Sequence, residues 1–222
     1  MGYSIAIDGP SGAGKSTIAK RIAQELSFIY VDTGAMYRAM ALYLLNKGVQ
    51  IEPEAISSNC ENANIRIEYI EGEQQVILNG ENVNAYIRTE EVGNMASTIA
   101  VNPHVRAKLV DLQRRMAEVD NVVMDGRDIG SKVLPNAKLK IYLSASSHTR
   151  AERRFLELQK RKETAVLEEI ERDIIKRDER DMTREISPLI RGEDAKFIDS
   201  SHMSIDEVAK FIIELYLEDI KS

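Results

Sequence analysis

Apolar positions in this chain follow two rhythms, short unbroken runs and stripes at helical spacing, and the two alternate. Ser4 to Ile7 is an unbroken run that predicts a strand. A glycine-rich stretch follows, and helical spacing then carries to Leu26. Phe28 to Val31 predicts a second strand, closed by DTGAMYR and a helix to about Lys47. Asn121 to Met124 (NVVM), Leu139 to Leu143 and Lys196 to Asp199 supply three further strands. Strand, loop and helix in alternation predict an α/β fold with a five-stranded parallel sheet flanked by helices.

Between these units the texture changes. Ile65 to Ile87 reads IRIEYIEGEQQVILNGENVNAYI, short β-like runs split by the turn signals EGE and NGE. This predicts a small antiparallel β insertion rather than another βα unit. Helical periodicity resumes near Thr89, in two helices divided near Pro103. Two charged helices are expected over about Thr149–Arg161 and Leu167–Arg184, and an amphipathic helix over Ser204–Leu217. The polar segment between the charged pair, Gln159 to Thr164 (QKRKET), is the expected tip of a helical lid, or simply a polar interhelix loop.

The first strand runs into GPSGAGKS, Gly9 to Ser16, which meets every fixed position of the phosphate-loop pattern G-x-x-x-x-G-K-[ST]. Glycines let backbone N–H groups curl around phosphate oxygens without Cβ clashes. The helix N-terminus adds positive potential. Gly9, Pro10, Ser11, Gly12, Ala13, Gly14, Lys15, Ser16 and Thr17 are therefore the expected ATP site. Lys15 would reach the β and γ phosphates, and the Ser16 hydroxyl would hold Mg²⁺. Asp125, at the end of the NVVM strand, is expected to hold the metal through water. A guanine-reading N-K-x-D motif is absent, which argues against a GTPase switch.

Composition narrows the partners. The chain has 222 residues, 43% hydrophobic and 30% charged, enough for one sizeable core with small attached lobes. Its formal net charge of −6 argues against non-specific nucleic-acid binding. The single Cys60 excludes an intrachain disulfide and a cysteine-built zinc site, and suits a reducing cytosol. No apolar run approaches a membrane span and no signal peptide is recognised, so a cytoplasmic monomer acting on small molecules is expected. His104, His148 and His202 stand far apart and read as surface residues.

One charged stretch resists a bland reading. KRDERDMTR, residues 176–184, places Arg177, Arg180, Asp181 and Arg184 on one stripe at about 100° per residue. Like charges at these spacings repel, so the stripe makes sense around an anion. Asp178 and Glu179 fall outside it and are expected as outer-face charges.

Taken together and in order, IAIDGPSGAGKST, DTGAMYR, RTEEVGNMAS…VR, VVMDGRDIG and RDERDMTR resemble the bacterial cytidylate kinases, P-loop kinases of nucleoside monophosphates. The likeness runs from end to end, including the β insertion and DSSHMSI. It implies ATP·Mg²⁺ as donor, CMP or dCMP as acceptor, and ADP with CDP or dCDP as products. It assigns Tyr37, Arg38, Arg127 and Arg184 to the CMP phosphate, and Ser97, Arg106 and Asp128 to cytosine. Arg177 and Asp181 match the sugar contacts, with Thr33 nearby where the family often has Ser. Arg180, with Arg153 or Arg154, matches the lid. Lys15, Arg127, Arg180 and Arg184 match the catalytic cations.

The implied division is a core of 1–35, 89–150 and 185–222, an NMP-binding region of 36–88 carrying the insertion, and a lid of 151–184. Ser131 and Lys132 are less usual for the family and receive no role. Without the resemblance, Asp128 is equally a loop-capping acid, Ser97 an ordinary helix-surface serine, Arg106 an exposed helix arginine and Tyr37 a core residue. A kinase of UMP or of a small-molecule alcohol, and a nucleotide-binding switch or RNA-associated P-loop module, are the remaining alternatives.

Overall fold

A computed structural model describes residues 2–221. Five strands form one parallel sheet: β1 (Ser4–Asp8), β2 (Ile29–Asp32), β6 (Val122–Gly126), β7 (Leu139–Ser144) and β8 (Lys196–Asp199), in the spatial order β2-β6-β1-β7-β8. Pairing is parallel throughout, as the alternating pattern predicts. Helices connect and flank them: α1 (Lys15–Leu26), α2 (Thr33–Asn46), α3 (Pro53–Cys60), α4 (Glu90–Ile99), α5 (Pro103–Val119), α6 (Ser147–Lys160), α7 (Leu167–Thr183) and α8 (Ile205–Asp219). The insertion forms a second, antiparallel sheet of β3 (Ile65–Ile70), β4 (Glu73–Leu78) and the two-residue β5 (Glu81–Asn82).

Successive side chains of a strand leave opposite faces, and this divides the core in two. From β1, Ile5 and Ile7 join Val123, Ile141 and Leu143 against α1 and α8. Ala6 points the other way, with Val31 and Met124, into a larger cluster with α2, α4, α5 and the insertion. That cluster contains Met36, Met40, Ile65, Val76, Ile99 and Leu109, so the insertion shares its core with α2. The boundary expected between residues 35 and 36 lies inside α2. Cys60 is fully buried in this cluster.

The helix α3 was not expected; its apolar signal consists of Ile56 and Cys60, one turn apart. A π-type turn, Ile129–Val133, follows β6 and was also unexpected. Buried Asp8 holds it from the end of β1, its two carboxylate oxygens accepting the N–H groups of Ile129 at 2.7 Å and Gly130 at 2.8 Å. The carboxyl ends of β1, β2, β6 and β7 thereby converge on one crevice, where ligands bind in open α/β sheets.

Candidate active site

Gly9 to Gly14 bridge β1 and α1 in a conformation that glycine alone adopts easily. Gly12 (φ 77°) and Gly14 (φ 89°) are left-handed, and a Cβ on Gly9 would lie 1.9 Å from the Leu143 carbonyl oxygen. Gly14 caps α1 without a side-chain acceptor, which leaves the first N–H groups of the helix for a ligand. The caps of α2, α4, α5, α6 and α8 are instead filled by Asp32, Thr89, Asn102, Ser146 and Ser204. The Lys15 ammonium is buried and donates to the Pro10 carbonyl at 2.7 Å. Burial, with Arg127 nearby, holds its pKa well below that of an ordinary lysine.

Asp125 is the penultimate residue of β6, beside this loop. Its Oδ2 accepts from Ser16 Oγ at 2.9 Å, and its Oδ1 from the Tyr30 hydroxyl at 2.8 Å. Burial, helped by the charge of Asp32, raises this carboxyl above the usual range. Thr33 Oγ1 donates to the Asp125 carbonyl at 2.7 Å, tying the start of α2 to the same strand end. Carboxylate and hydroxyl oxygens are hard donors of the kind Mg²⁺ takes alongside phosphate oxygens. The pair expected for the metal, Ser16 and Asp125, therefore fits it.

Across the crevice, arginines gather. Arg127 Nε lies 2.8 Å from Asp181 Oδ2, and Arg184 Nη1 lies 3.9 Å from Asp181 Oδ1. Burial opposes ionisation of Asp181, but Arg127, Arg177 and Arg184 outweigh it and hold the carboxyl below its usual value. Arg177 donates to Ser11 Oγ at 3.3 Å; burial, with repulsion from Arg127, lowers its guanidinium to about 10. Arg38 donates to the Ile87 carbonyl at 3.1 Å, and burial pushes its pKa down, as it does that of Arg184. Arg106 forms a buried ion pair with Asp128 and donates to the Tyr37 hydroxyl at 3.2 Å. Ser97 sits on α4, its hydroxyl donating to the Gly93 carbonyl of its own helix at 3.2 Å.

Helix α6 roots in the phosphate loop. Arg150 is buried, bonded to the Ser11 carbonyl at 3.0 Å and paired with Asp178 at 2.6 Å. Arg153 reaches the Ala13 carbonyl at 3.5 Å and the Ser200 carbonyl at 2.7 Å. Arg154 is exposed against Glu157 at 2.9 Å, and Arg180 is exposed on α7. Residues 159–164 are exposed and join α6 to α7. Asp178 corrects the sequence reading: it is a buried partner rather than an outer-face charge, whereas Glu179 is exposed as expected. The buried arc of α7 takes in Asp178 and Asp181, rotated away from Arg180.

Sequence reasoning missed Asp8, Tyr30, Asp32, Arg88 and Arg150. Asp32 caps α2 and pairs with Arg88 at 2.9 Å. The DTGAMYR motif contained Asp32, and spacing gave no reason to single it out.

A parallel sheet carrying a phosphate loop, with a second cationic site across the same crevice, defines a nucleotide-binding protein of the P-loop class. The chain belongs to the cytidylate kinase family: the profile of that family matches residues 5–218. The cytidylate kinase of Caldicellulosiruptor bescii is 45% identical over 220 residues, covering 99% of this chain and 97% of that protein. That of a Geobacillus species is 48% identical over 217 residues, covering 97% of each. Among solved structures, an uncharacterized protein from Eubacterium ventriosum matches with a TM-score of 0.52 at 13% identity, covering 96% of this chain and 97% of that one. That likeness concerns the fold alone.

Proposed function

We propose that this chain transfers the γ-phosphate of ATP to CMP or dCMP, giving ADP and CDP or dCDP. The observation that carries this reading is the buried Arg106–Asp128 pair beside the arginine cluster, across the crevice from the phosphate loop. Cytosine offers an exocyclic amine where uracil offers a carbonyl. A carboxylate accepts from the amine and repels the carbonyl, a difference of about 1–3 kcal/mol.

In this reading Arg106, Asp128 and Ser97 hold the base, and Arg177 and Asp181 the sugar, with Thr33 close by. Tyr37, Arg38, Arg127 and Arg184 take the acceptor phosphate. The phosphate monoester is mostly dianionic at neutral pH, its second pKa being about 6, so its oxygen attacks without a catalytic base. The task of the protein is then to align two polyanions and neutralise charge in flight. Lys15, released from the Pro10 carbonyl by the incoming phosphates, Arg127, Arg180 and Arg184 supply that charge. Arginine suits the role because its planar fork meets phosphate oxygens in bidentate fashion. Mg²⁺, held with ATP by Ser16 and through water by Asp125, would supply further neutralisation of the phosphate oxygens.

Residues 151–184 act as the lid over a core of 1–35, 89–150 and 185–222, with 36–88 as the acceptor-binding region. Exposed Arg180 and Arg154 enter the site on closure, which also excludes water as a competing acceptor; Arg153 holds the root of the lid. The enzyme works as a cytoplasmic monomer on free nucleotides, without nucleic acid or membrane. The net charge of −6 supports this, and no helix among the described residues is long and apolar enough to cross a membrane.

ADP formation measured with CMP, dCMP, UMP, AMP, GMP and no acceptor tests the proposal. CMP and dCMP should dominate. Equal rates with UMP, or turnover that needs no acceptor, would overturn it.

A further inference from the structure

The β insertion is bonded to one place in the parallel sheet, the outer edge of β2. Ile29 donates its N–H to Asn121, so Ile29 and Val31 face the β6 side. Tyr30 and Asp32, the alternate residues, turn their backbone groups outward at the edge of the sheet. The insertion meets three of these groups with two side chains. Tyr69 donates its hydroxyl to the Tyr30 carbonyl at 3.0 Å. Gln74 accepts the Asp32 N–H at 2.8 Å and donates to the Asp32 carbonyl at 3.2 Å, matching the residue as a paired strand would. Tyr69 and Gln74 are cross-strand partners, so their side chains leave the same face of the hairpin. Asn84 holds Gln74 in turn, donating to its carbonyl at 3.0 Å.

Asp32 is where this matters. One carboxylate oxygen accepts the Ala35 N–H at 2.9 Å and caps α2; the other pairs with Arg88 at 2.9 Å. Tyr37 and Arg38 lie in the first two turns of α2. We propose that Gln74 is a positioning residue for the acceptor site, fixing Asp32 and through it the start of α2 and Arg88. The insertion thereby registers the acceptor-binding residues against the sheet. This rests on the acceptor-site reading above.

A cover for a bare strand edge would change stability alone, whereas a positioning residue changes the binding of one substrate. Gln74→Met keeps the length and removes both hydrogen bonds. Gln74→Glu keeps the acceptor and loses the donor. Asn79→Gly removes the acceptor of the Asn64 N–H within the insertion, at a left-handed position that glycine tolerates, without touching Gln74, Asn84 or β2. Calorimetry with CMP should show Kd raised about tenfold in Gln74→Met and about threefold in Gln74→Glu. The KM for ATP should stay within about twofold, and Asn79→Gly should change neither constant.

The inference falls if Gln74→Met binds CMP within about twofold of wild type, if ATP and CMP weaken equally, or if Asn79→Gly weakens CMP as much. Should Gln74→Met misfold, Tyr69→Phe, which removes one oxygen, decides: weakening of CMP by about threefold supports positioning and no change refutes it. A wild-type enzyme that leaves CMP unphosphorylated overturns the acceptor reading instead. An active enzyme indifferent to Gln74 overturns this inference alone.

Discussion

Replacing Asp178 with alanine separates two views of the charged stretch 176–184. If Asp178 were a solvated charge, its loss would change stability by no more than about 0.5 kcal/mol. The structure instead buries it to 8% exposure and sets its Oδ2 2.6 Å from Arg150 Nη2, whose side chain is 6% exposed. Removing one partner of a buried pair costs about 3–5 kcal/mol, because the other charge stays behind in a poor solvent. Arg150 retains the carbonyls of Ser11 and Ala145, at 3.0 and 2.9 Å, which places the cost near 3 kcal/mol. For a chain of this size each kcal/mol moves Tm by about 2–4 °C, so Asp178→Ala should lower Tm by about 6–12 °C. Circular dichroism on heating measures this. The KM for ATP should stay within about twofold of wild type, since Arg150 still holds the Ser11 carbonyl. The double variant Arg150→Met with Asp178→Leu should recover much of the stability but raise the KM for ATP, because it removes the donor to the Ser11 carbonyl. A Tm within about 2 °C of wild type for Asp178→Ala would refute the reasoning.

Arg180→Ala should lower kcat by at least about a hundredfold while the calorimetric Kd for CMP changes little, and an unchanged kcat would remove it from the transition state. Asp128→Asn should narrow the CMP-over-UMP preference in kcat/KM by about tenfold or more, since it replaces a pure acceptor with a group that also donates; an unchanged ratio would show that another group reads the base. Burial, opposed by the N–H groups of Gly130 and Ile129, raises the Asp8 carboxyl from 3.8 to about 6. Its contribution to stability is therefore complete below about pH 4 and is lost as pH rises through about 6. Asp8→Asn should destabilise at every pH through a lost acceptor, but its penalty should shrink by roughly 1–3 kcal/mol between those limits. Urea unfolding at stepped pH checks the sign, and a penalty that grows with pH would contradict it.

The parts of the molecule legible in the sequence are those specified locally. Four apolar runs became parallel strands because buried strands show no polar alternation, KFID became the largely exposed edge strand β8, and the phosphate loop is a contiguous motif at a strand end. Helix spacing put Arg177, Asp181 and Arg184 on one stripe, whereas Arg127 was assigned only by the family resemblance; the structure sets Arg127 and Arg184 against Asp181. What escaped is non-local. The π-type turn depends on Asp8, more than a hundred residues away, and the grip of Gln74 on Asp32 spans the insertion. The phase of α7 was misjudged for the same reason. Spacing says which residues share a face, but the packing of α6 and the phosphate loop decides that Asp178 is covered and Arg180 is not.

The proposed acceptor site holds more cationic than anionic side chains. Arg127, Arg177 and Arg184 surround Asp181, and Arg38 is bonded to a carbonyl rather than a carboxylate. The Arg177 Nε–H is buried without a hydrogen-bond partner. Burial pushes Arg38, Arg177 and Arg184 down in pKa, so each carries an unrepaid desolvation cost until an anion arrives. The site trades stability for binding. Arg177→Met, similar in length and free of charge, should therefore leave the Tm of the free protein unchanged or raise it by about 2–4 °C per kcal/mol relieved. Its calorimetric Kd for CMP should nonetheless rise by about tenfold, and the stabilisation by saturating CMP should shrink in step, since a ligand at 100 times its Kd adds only about 2.7 kcal/mol. Both measurements are needed. A drop of more than about 4 °C in the free protein would show that Arg177 serves the fold, and undiminished CMP binding would show that the charge excess serves something else.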